Sequence, residues 1–250
     1  MCFDVDSEPP IPRIAGAAVS HDDLVLTAVD GNRFAAFLAA PEAPTTTGVV
    51  ILPDVRGLSH FYEELALRFA ELGHLAIALD YFGRTAGAVK READWEYMPH
   101  VERTTNEGVQ ADVQAVVEEL RSHGATSVFS VGFCFGGSNS WAAAASGHGL
   151  AGSIGFYGSP TRERGGASVV QRVADMECPI LALQAGDDQS ITAADNAAFE
   201  EALTEAGVEH EIVVYDGAPH SFFDRKQQEY AEASEDAWQR TLAFIAQHSK

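Results

Sequence analysis

Apolar residues in this chain form short continuous runs that alternate with longer stretches of helical periodicity. The short runs are typical of strands that are buried on both faces. Predicted strands of this kind cover residues 48–52, 75–79, 127–131, 153–157, 179–184 and 211–215. Predicted helices cover residues 61–72, 108–122, 192–206 and 227–246, and residues 159–174 are predicted to mix loop and helix. The alternation predicts an α/β fold, with a mainly parallel central sheet and helices on both of its faces.

Two strand-like runs precede the alternating part, at residues 24–29 and 33–39. They flank Asp30-Gly31-Asn32, a sequence typical of a hairpin turn, so we expect the sheet to begin with an N-terminal antiparallel hairpin. Residues 1–20 contain three prolines and are predicted to form an irregular N-terminal arm. Because residues 21–250 contain no internal repeat, low-complexity tract or linker, we predict that they form a single domain.

The composition of the 250-residue chain limits the classes of partner that we expect it to bind. A formal net charge of −21 argues against nucleic acids and anionic membrane surfaces, both of which select basic proteins. The sequence has no apolar run long enough to span a bilayer and no N-terminal signal pattern. Its three cysteines, an odd number without metal-ligand spacing, suit a reducing compartment. We therefore expect a cytoplasmic protein, a monomer or weak homodimer, that acts on a small molecule and has no nucleic-acid or membrane partner.

The strongest chemical signal is the sequence Gly132-Phe133-Cys134-Phe135-Gly136-Gly137, which links a predicted strand to a small-residue helix ending near Gly147. It has the G-x-nucleophile-x-G layout, in which glycines flank the reactive residue because the turn from strand to helix is strained. The N-terminal end of the following helix would favour a thiolate at Cys134. The alternative is a glycine-rich turn that buries an inert cysteine.

Further reactive side chains follow the last two predicted strands, at the edge where parallel sheets place their working residues. Asp188 follows one of these strands and His220 follows the other. With Cys134 they give the order nucleophile, acid, histidine, in which the histidine shuttles a proton and the aspartate orients the imidazole. Asp187 is the alternative acid, although its position suits turn chemistry.

Acyl transfer through a cysteine also requires two N–H donors for the negative charge of the tetrahedral intermediate. The backbone N–H of Phe135, the residue after the candidate nucleophile, is expected to supply one donor. The loop after the strand at 48–52 is expected to supply the other, at Val55. Because both donors are backbone groups, the side chains of these residues are available for substrate binding.

These motifs resemble those of the dienelactone hydrolase family, the carboxymethylenebutenolidase-like cysteine branch of the α/β-hydrolases. The matching pieces are DYFGR at 80–84, the cysteine turn at 132–137, Gly186-Asp187-Asp188 and His220-Ser221-Phe222. The resemblance extends over most of the chain, from about residue 24 to residue 245. It implies an α/β-hydrolase fold and hydrolysis of a small, anionic lactone or ester through an acyl-cysteine intermediate, without a cofactor.

The resemblance also implies a carboxylate, in the loop after the third strand, that takes the thiol proton when substrate binds. Asp54 stands at this position, where dienelactone-specific members of the family carry the longer glutamate. The aspartate side chain is shorter by one methylene, so its carboxylate is displaced, and a displacement of about 1 Å can cost on the order of 10²-fold in rate. A second role for Asp54 therefore stays open. In that role it pairs with Arg56 or caps the loop.

Two arginines bind the substrate carboxylate in the family, and a guanidinium suits bidentate capture of this group. Arg84 matches the first of these positions. The second would lie four residues after His220, where the chain has Asp224 followed by Arg225. Arg225 therefore either reaches the substrate or belongs to an exposed loop, and Arg56 is a further candidate. In so acidic a chain, an anionic substrate requires arginines concentrated at its site, so each arginine there is informative.

Two other functions compete with a dienelactone-type hydrolase. The first keeps the fold and the cysteine but acts on a broader range of carboxylic esters or thioesters, as the replacement at Asp54 and the shifted Arg225 suggest. The second is a non-catalytic redox-sensing protein that uses Cys134 as a reactive thiol. A metal site built from Asp187, Asp188 and His220 is disfavoured, because adjacent carboxylates rarely converge on one ion.

Overall fold

A computed structural model describes the chain at residues 4, 6–43, 45–91 and 95–250. Cys2 and some neighbouring residues of the predicted arm lie outside this described part. Within it, eight strands form one sheet. The strands are β1 (Val19–Thr27), β2 (Arg33–Pro41), β3 (Thr47–Leu52), β4 (Leu75–Leu79), β5 (Ser127–Phe133), β6 (Gly152–Phe156), β7 (Ile180–Asp187) and β8 (His210–Pro219).

The strand order across the sheet is β1-β2-β4-β3-β5-β6-β7-β8. All pairs from β4 to β8 are parallel, whereas β2 is antiparallel to both of its neighbours, β1 and β4. This confirms the predicted α/β fold with a mainly parallel sheet and an N-terminal antiparallel hairpin. The carboxyl ends of β3, β5, β7 and β8 consequently share one edge of the sheet, where the candidate site residues follow them.

Within the described residues, seven α-helices and two short 3₁₀ helices lie between the strands or after the last of them. The α-helices are α1 (His60–Glu71), α2 (Gly83–Ala86), α3 (Met98–Val101), α4 (Asn106–Ser122), α5 (Phe135–Ala144), α6 (Ala193–Ala206) and α7 (Ala231–His248). The 3₁₀ helices are Val170–Asp175 and Gln228–Tyr230. Helix α6 begins at a capping box in which Thr192 accepts the N–H of Asp195 at 3.2 Å and Asp195 accepts the N–H of Thr192 at 2.7 Å.

Apolar side chains fill both faces of the sheet, which explains why its central strands read as continuous apolar runs. On β3, Val49 and Ile51 belong to the cluster that packs with α1 and α7, whereas Val50 and Leu52 belong to the cluster with α4, α5 and α6. Full burial of such a side chain contributes roughly 1.5–3 kcal/mol. The packed centre of the sheet therefore holds the ends of the strands, and the loops that follow them, in fixed positions.

The N-terminal segment lies against the loop that follows β8. The hydroxyl of Ser7 donates to Oδ2 of Asp224 at 2.7 Å, and the backbone N–H of Arg225 donates to the carbonyl of Glu8 at 3.0 Å. The described residues before Val19 form no helix or strand. Among the helices of the described residues, none combines the length and the apolar character that a membrane span requires.

Candidate functional site

Cys134 occupies the sharp turn between β5 and α5. Its backbone has φ 55° and ψ −112°, a conformation that few residues other than glycine adopt. The backbone N–H of Cys134 donates to the carbonyl of Phe156, at the end of the neighbouring strand β6, at 3.0 Å. Gly132 is required by close packing, because a Cβ atom there would lie 1.9 Å from the carbonyl oxygen of Gly136. The turn is therefore a strained feature that the surrounding backbone holds in place.

His220 and Asp188 meet at the same edge of the sheet. Nδ1 of His220 lies 2.5 Å from Oδ2 of Asp188, and the Asp188 side chain is only 1% exposed. The other carboxylate oxygen of Asp188 accepts the backbone N–H groups of Ser190 at 2.8 Å and Ile191 at 3.1 Å. Burial acts to raise the pKa of the Asp188 carboxyl, but the bonds from His220 and the two N–H groups outweigh it and hold that pKa below its usual value. Asp188 is thus kept as an anion beside the imidazole.

Asp187, the alternative acid, differs from Asp188 in its surroundings. It is exposed, and its Oδ1 accepts a hydrogen bond from the side-chain amide of Gln189 at 3.2 Å. Within the described residues, no group of three or more histidine, cysteine, aspartate or glutamate side chains is arranged to hold a metal ion.

One cavity of about 440 Å³ unites the candidate residues of four separate loops. Its lining includes Cys134, Asp188, His220, Val55 and Phe135. The ring of Tyr157, which also lines the cavity, lies with its centroid 5.0 Å from that of His220. A volume of this size is within the range of pockets that enclose whole small molecules. The cavity therefore has room for a substrate that extends beyond the ester group itself.

The turn that carries Val55 is held by buried polar contacts. Asp54 is fully buried, and its two oxygens accept the backbone N–H of Arg56 at 2.8 Å and the guanidinium of Arg56 at 2.9 Å. The N–H of Asp54 donates to the hydroxyl of Tyr62 at 2.9 Å, and the hydroxyl of Tyr81 donates to the carbonyl of Pro53 at 2.8 Å. Neither Asp54 nor Arg56 is among the described residues that line the cavity. Of the two roles left open for Asp54, this placement favours pairing with Arg56.

The other two predicted substrate-binding arginines also lie outside the cavity lining, as judged from the described residues. The guanidinium of Arg84 pairs with Asp30 at 2.6 Å and with the fully buried carboxylate of Asp112. Arg225 pairs with Glu8 of the N-terminal segment. The structure therefore brings the predicted triad and oxyanion residues together, but it does not bring Arg84, Arg225 or Arg56 to them.

Burial of the Asp112 carboxyl makes the stability of the protein depend on pH. Burial raises the pKa of the Asp112 carboxyl from 3.8 to about 6, although hydrogen bonds from Asn32 and Arg84 act to lower it. The folded protein thus binds more protons than the unfolded chain between these values. The contribution of Asp112 to the free energy of unfolding is therefore greatest below pH 4 and falls as the pH rises through 6, by up to about 3 kcal/mol.

Urea unfolding of the wild type and Asp112→Asn, at pH 4 and pH 7, measures this effect. Because the other titrating groups are common to both proteins, we expect the wild type to lose up to about 3 kcal/mol more than the variant between the two pH values. Equal losses in the two proteins would contradict a raised pKa at Asp112.

Among the cavity residues that sequence reasoning missed are Arg162, Arg164 and Tyr157. Tyr157 is the residue after β6, and both arginines lie in the segment between β6 and the 3₁₀ helix Val170–Asp175. The rule that parallel sheets place working residues after the carboxyl ends of their strands applies to β6 as well. That rule could have found the arginines, since they follow the carboxyl end of β6. The sequence analysis predicted this segment only as a mixture of loop and helix.

Known proteins are similar in sequence to this chain over most of its length. A model of the dienelactone hydrolase family matches residues 34–249. A Yersinia pestis protein named "Putative carboxymethylenebutenolidase" is 28% identical over 227 residues, covering 87% of this chain and 85% of the relative. A Salmonella typhi protein of the same name is 30% identical over 228 residues, covering 87% and 84%. A crystal structure named as that of a "Putative Dienelactone Hydrolase" from Klebsiella pneumoniae superimposes with a TM-score of 0.79 at 27% identity, covering 92% of this chain and 99% of that one.

Proposed function

Since the chain belongs to the dienelactone hydrolase family, with the α/β-hydrolase fold and an activity on ester or lactone bonds, we propose that Cys134, His220 and Asp188 form its catalytic triad. The substrate is a small lactone or ester, which is hydrolysed through an acyl-cysteine intermediate. The observation that carries this proposal is the single cavity lined by all three side chains together with Val55 and Phe135.

The reaction begins with proton transfer from the thiol. Because Nδ1 of His220 is bonded to Asp188, Nε2 is the ring nitrogen that accepts the proton of Cys134. The thiolate attacks the carbonyl carbon, and the resulting oxyanion accepts the N–H groups of Phe135 and Val55. The N–H of Phe135 suits this role because the first residues of a helix have no intrahelical acceptor.

Collapse of the tetrahedral intermediate breaks the carbon–oxygen bond and leaves the acyl group on sulfur. The departing alkoxide takes the proton from the imidazolium of His220. A water molecule then attacks the acyl-cysteine while His220 accepts one of its protons, and the carboxylic acid is released as the thiol is restored. The anionic carboxylate of Asp188 stabilises the imidazolium in both halves of the reaction.

Asp54 has a positioning role in this mechanism. Its bonds to Arg56 hold the turn that carries the Val55 N–H, one of the two oxyanion donors. The proton-accepting role that the family resemblance implies for Asp54 stays a prediction, and the engagement of both its oxygens by Arg56 favours the positioning role.

Mass spectrometry after exposure to a panel of small lactones and esters tests the proposal. We expect a substrate's acyl mass on the peptide that contains Cys134. Cys178 serves as the internal control, because burial raises the pKa of its thiol to about 12 and keeps it protonated. Cys134→Ser should keep the fold and lose most turnover, since serine is a poorer nucleophile in a site built for a thiol. Near-native turnover by this variant, or peroxide oxidation of Cys134 without ester turnover, would contradict the proposal.

A broader carboxylesterase or thioesterase is the second candidate. The observation that favours it is the placement of Arg84 and Arg225, each paired with acidic side chains outside the cavity lining of the described residues. Turnover of cis-dienelactone and of p-nitrophenyl acetate separates the two candidates. Equal rates would favour the broader enzyme, whereas a preference for the anionic lactone would favour the first.

A further inference from the structure

Two arginines that the mechanism does not use line the same cavity as Cys134 and His220. They are Arg162 and Arg164, two residues apart in the segment between β6 and the 3₁₀ helix Val170–Asp175. The whole chain has 16 lysines and arginines against 37 aspartates and glutamates. The cavity lining also contains the carboxylates of Asp187 and Asp188, so the two arginines make one wall of the cavity cationic, and such a wall attracts anions.

The segment that carries these arginines is held in place by its neighbours. The carbonyl of Gly165 accepts the backbone N–H of Asn106, the first residue of α4, at 2.9 Å. A Cβ atom on Gly165 would lie 2.4 Å from the carbonyl oxygen of Thr104, so this contact is close. Further along, the N–H of Val170 donates to the carbonyl of Pro160 at 3.0 Å. A segment that is already held in place loses little conformational entropy when a ligand binds, and this favours affinity.

Arg164 lies beside the side chain of Phe135. Its guanidinium carbon lies 5.4 Å from the centroid of the Phe135 ring, within the distance of a cation–π contact. Phe135 is the residue after the nucleophile, and its N–H is one of the two proposed oxyanion donors. A substrate whose carbonyl lies at Cys134 therefore extends within the same cavity towards a guanidinium.

The surroundings of Arg162 leave its guanidinium available to a ligand. Within the described residues, Arg162 makes no ion pair shorter than 4 Å, in contrast to Arg84 and Arg225. The carboxylate of Asp188 is engaged by His220, and that of Asp187 by Gln189. The charge of Arg162 also acts on the carboxylate of Asp195, but no short ion pair within the described residues holds the guanidinium of Arg162 away from the cavity.

We infer that Arg162 and Arg164 bind a carboxylate carried by the substrate and make the enzyme select esters and lactones that bear a second, anionic group. This inference rests on the proposed function, since it assigns the substrate class of the same site. The guanidinium group suits the role because it donates parallel hydrogen bonds to both oxygens of a carboxylate. The binding site for the anion would then lie after β6, instead of at Arg84 and Arg225.

Two chromogenic esters that differ by one methyl group test the inference. They are p-nitrophenyl hydrogen succinate, which is anionic, and p-nitrophenyl methyl succinate, which is neutral. We expect the wild type to prefer the anionic ester in kcat/KM. In Arg162→Gln, Arg164→Gln and the double variant this preference should fall by about 10- to 100-fold, the size of a charge-assisted hydrogen bond. The loss should appear in the KM for the anionic ester, because the contact lies away from the reacting carbonyl.

Arg103→Gln is the matched control, since it removes one positive charge from an exposed position outside the cavity lining. This variant should have kcat/KM values for both esters within a few-fold of those of the wild type. Arg225→Gln tests the competing position, and a loss of the preference in that variant would overturn the inference. Retention of the preference by the Arg162/Arg164 double variant, or its absence in the wild type, would do the same.

The neutral ester keeps these outcomes apart from the proposed function. If the wild type hydrolyses the neutral ester and forms an adduct on Cys134 but shows no anionic preference, the inference fails and the triad proposal stands. If neither ester is hydrolysed and no adduct forms, the proposed function fails and the inference fails with it.

Discussion

Asp188→Asn should lower kcat/KM for ester hydrolysis by about 10⁴-fold while leaving the fold intact. In the wild type, Oδ1 of Asp188 accepts two backbone N–H groups and Oδ2 faces Nδ1 of His220. An asparagine has one oxygen and one NH₂ group. Its oxygen would accept the two N–H donors, and its NH₂ would then face His220. Nδ1 becomes an acceptor in that arrangement, so the proton moves to Nε2 and the imidazole can no longer take the proton of Cys134.

Asp187→Asn is the matched control for this prediction, because it makes the same chemical change one residue earlier in the chain. Asp187 is exposed and bonds to Gln189, so its variant should retain kcat/KM within a few-fold of the wild type. Steady-state kinetics on one neutral ester, with circular dichroism to check the fold, measures both variants. If Asp187→Asn is the inactive variant and Asp188→Asn the active one, the orienting acid has been assigned to the wrong carboxylate.

The sequence predicted best those elements that are buried on both faces. Strand β4 has the bounds predicted for it, 75–79, because its apolar run ends at His74 and Asp80. The edge strand β1 begins at Val19, five residues before the prediction at residue 24. Its additional residues include Ser20, His21, Asp22 and Asp23, which pair with β2 although they show no apolar alternation. That pairing is set by the partner strand, and local pattern does not reveal it.

In the candidate site too, local sequence patterns predicted some features, whereas others depend on contacts between distant parts of the chain. The motifs predicted Cys134, Asp188 and His220 as the triad, because each follows a strand whose position can be read from the sequence, and the three line one cavity. Their catalytic roles stay a prediction. The surroundings of Arg84 could not be predicted, since Asp30 comes from the hairpin turn and Asp112 from α4. Only the folded chain shows that these carboxylates engage the guanidinium. The cytoplasmic location, the oligomeric state and the single-domain assignment stay predictions.

Gly136→Ala should destabilise the protein by about 3 kcal/mol and abolish most ester turnover. A Cβ atom at this position would lie 2.0 Å from the carbonyl oxygen of Leu52 and 2.4 Å from that of Pro53. Both are backbone atoms at the end of β3, so no side-chain rotation can relieve the clash. Helix α5 would have to move away from β3. Such a movement also separates the N–H of Phe135 from that of Val55, the two proposed oxyanion donors.

Gly207→Ala provides the matched control at the end of α6. Gly207 has φ +70°, and a Cβ atom there would meet no described atom within 4 Å beyond its chain neighbours, so alanine costs only the left-handed backbone conformation, about 1 kcal/mol. Urea unfolding of both variants, together with turnover of a neutral ester, separates backbone strain from close packing. Because Gly136 has no positive φ to account for a loss, a large effect there must come from the contact with β3. A Gly136→Ala protein with the stability and turnover of the wild type would contradict the close approach of α5 to β3 on which the proposed oxyanion hole depends.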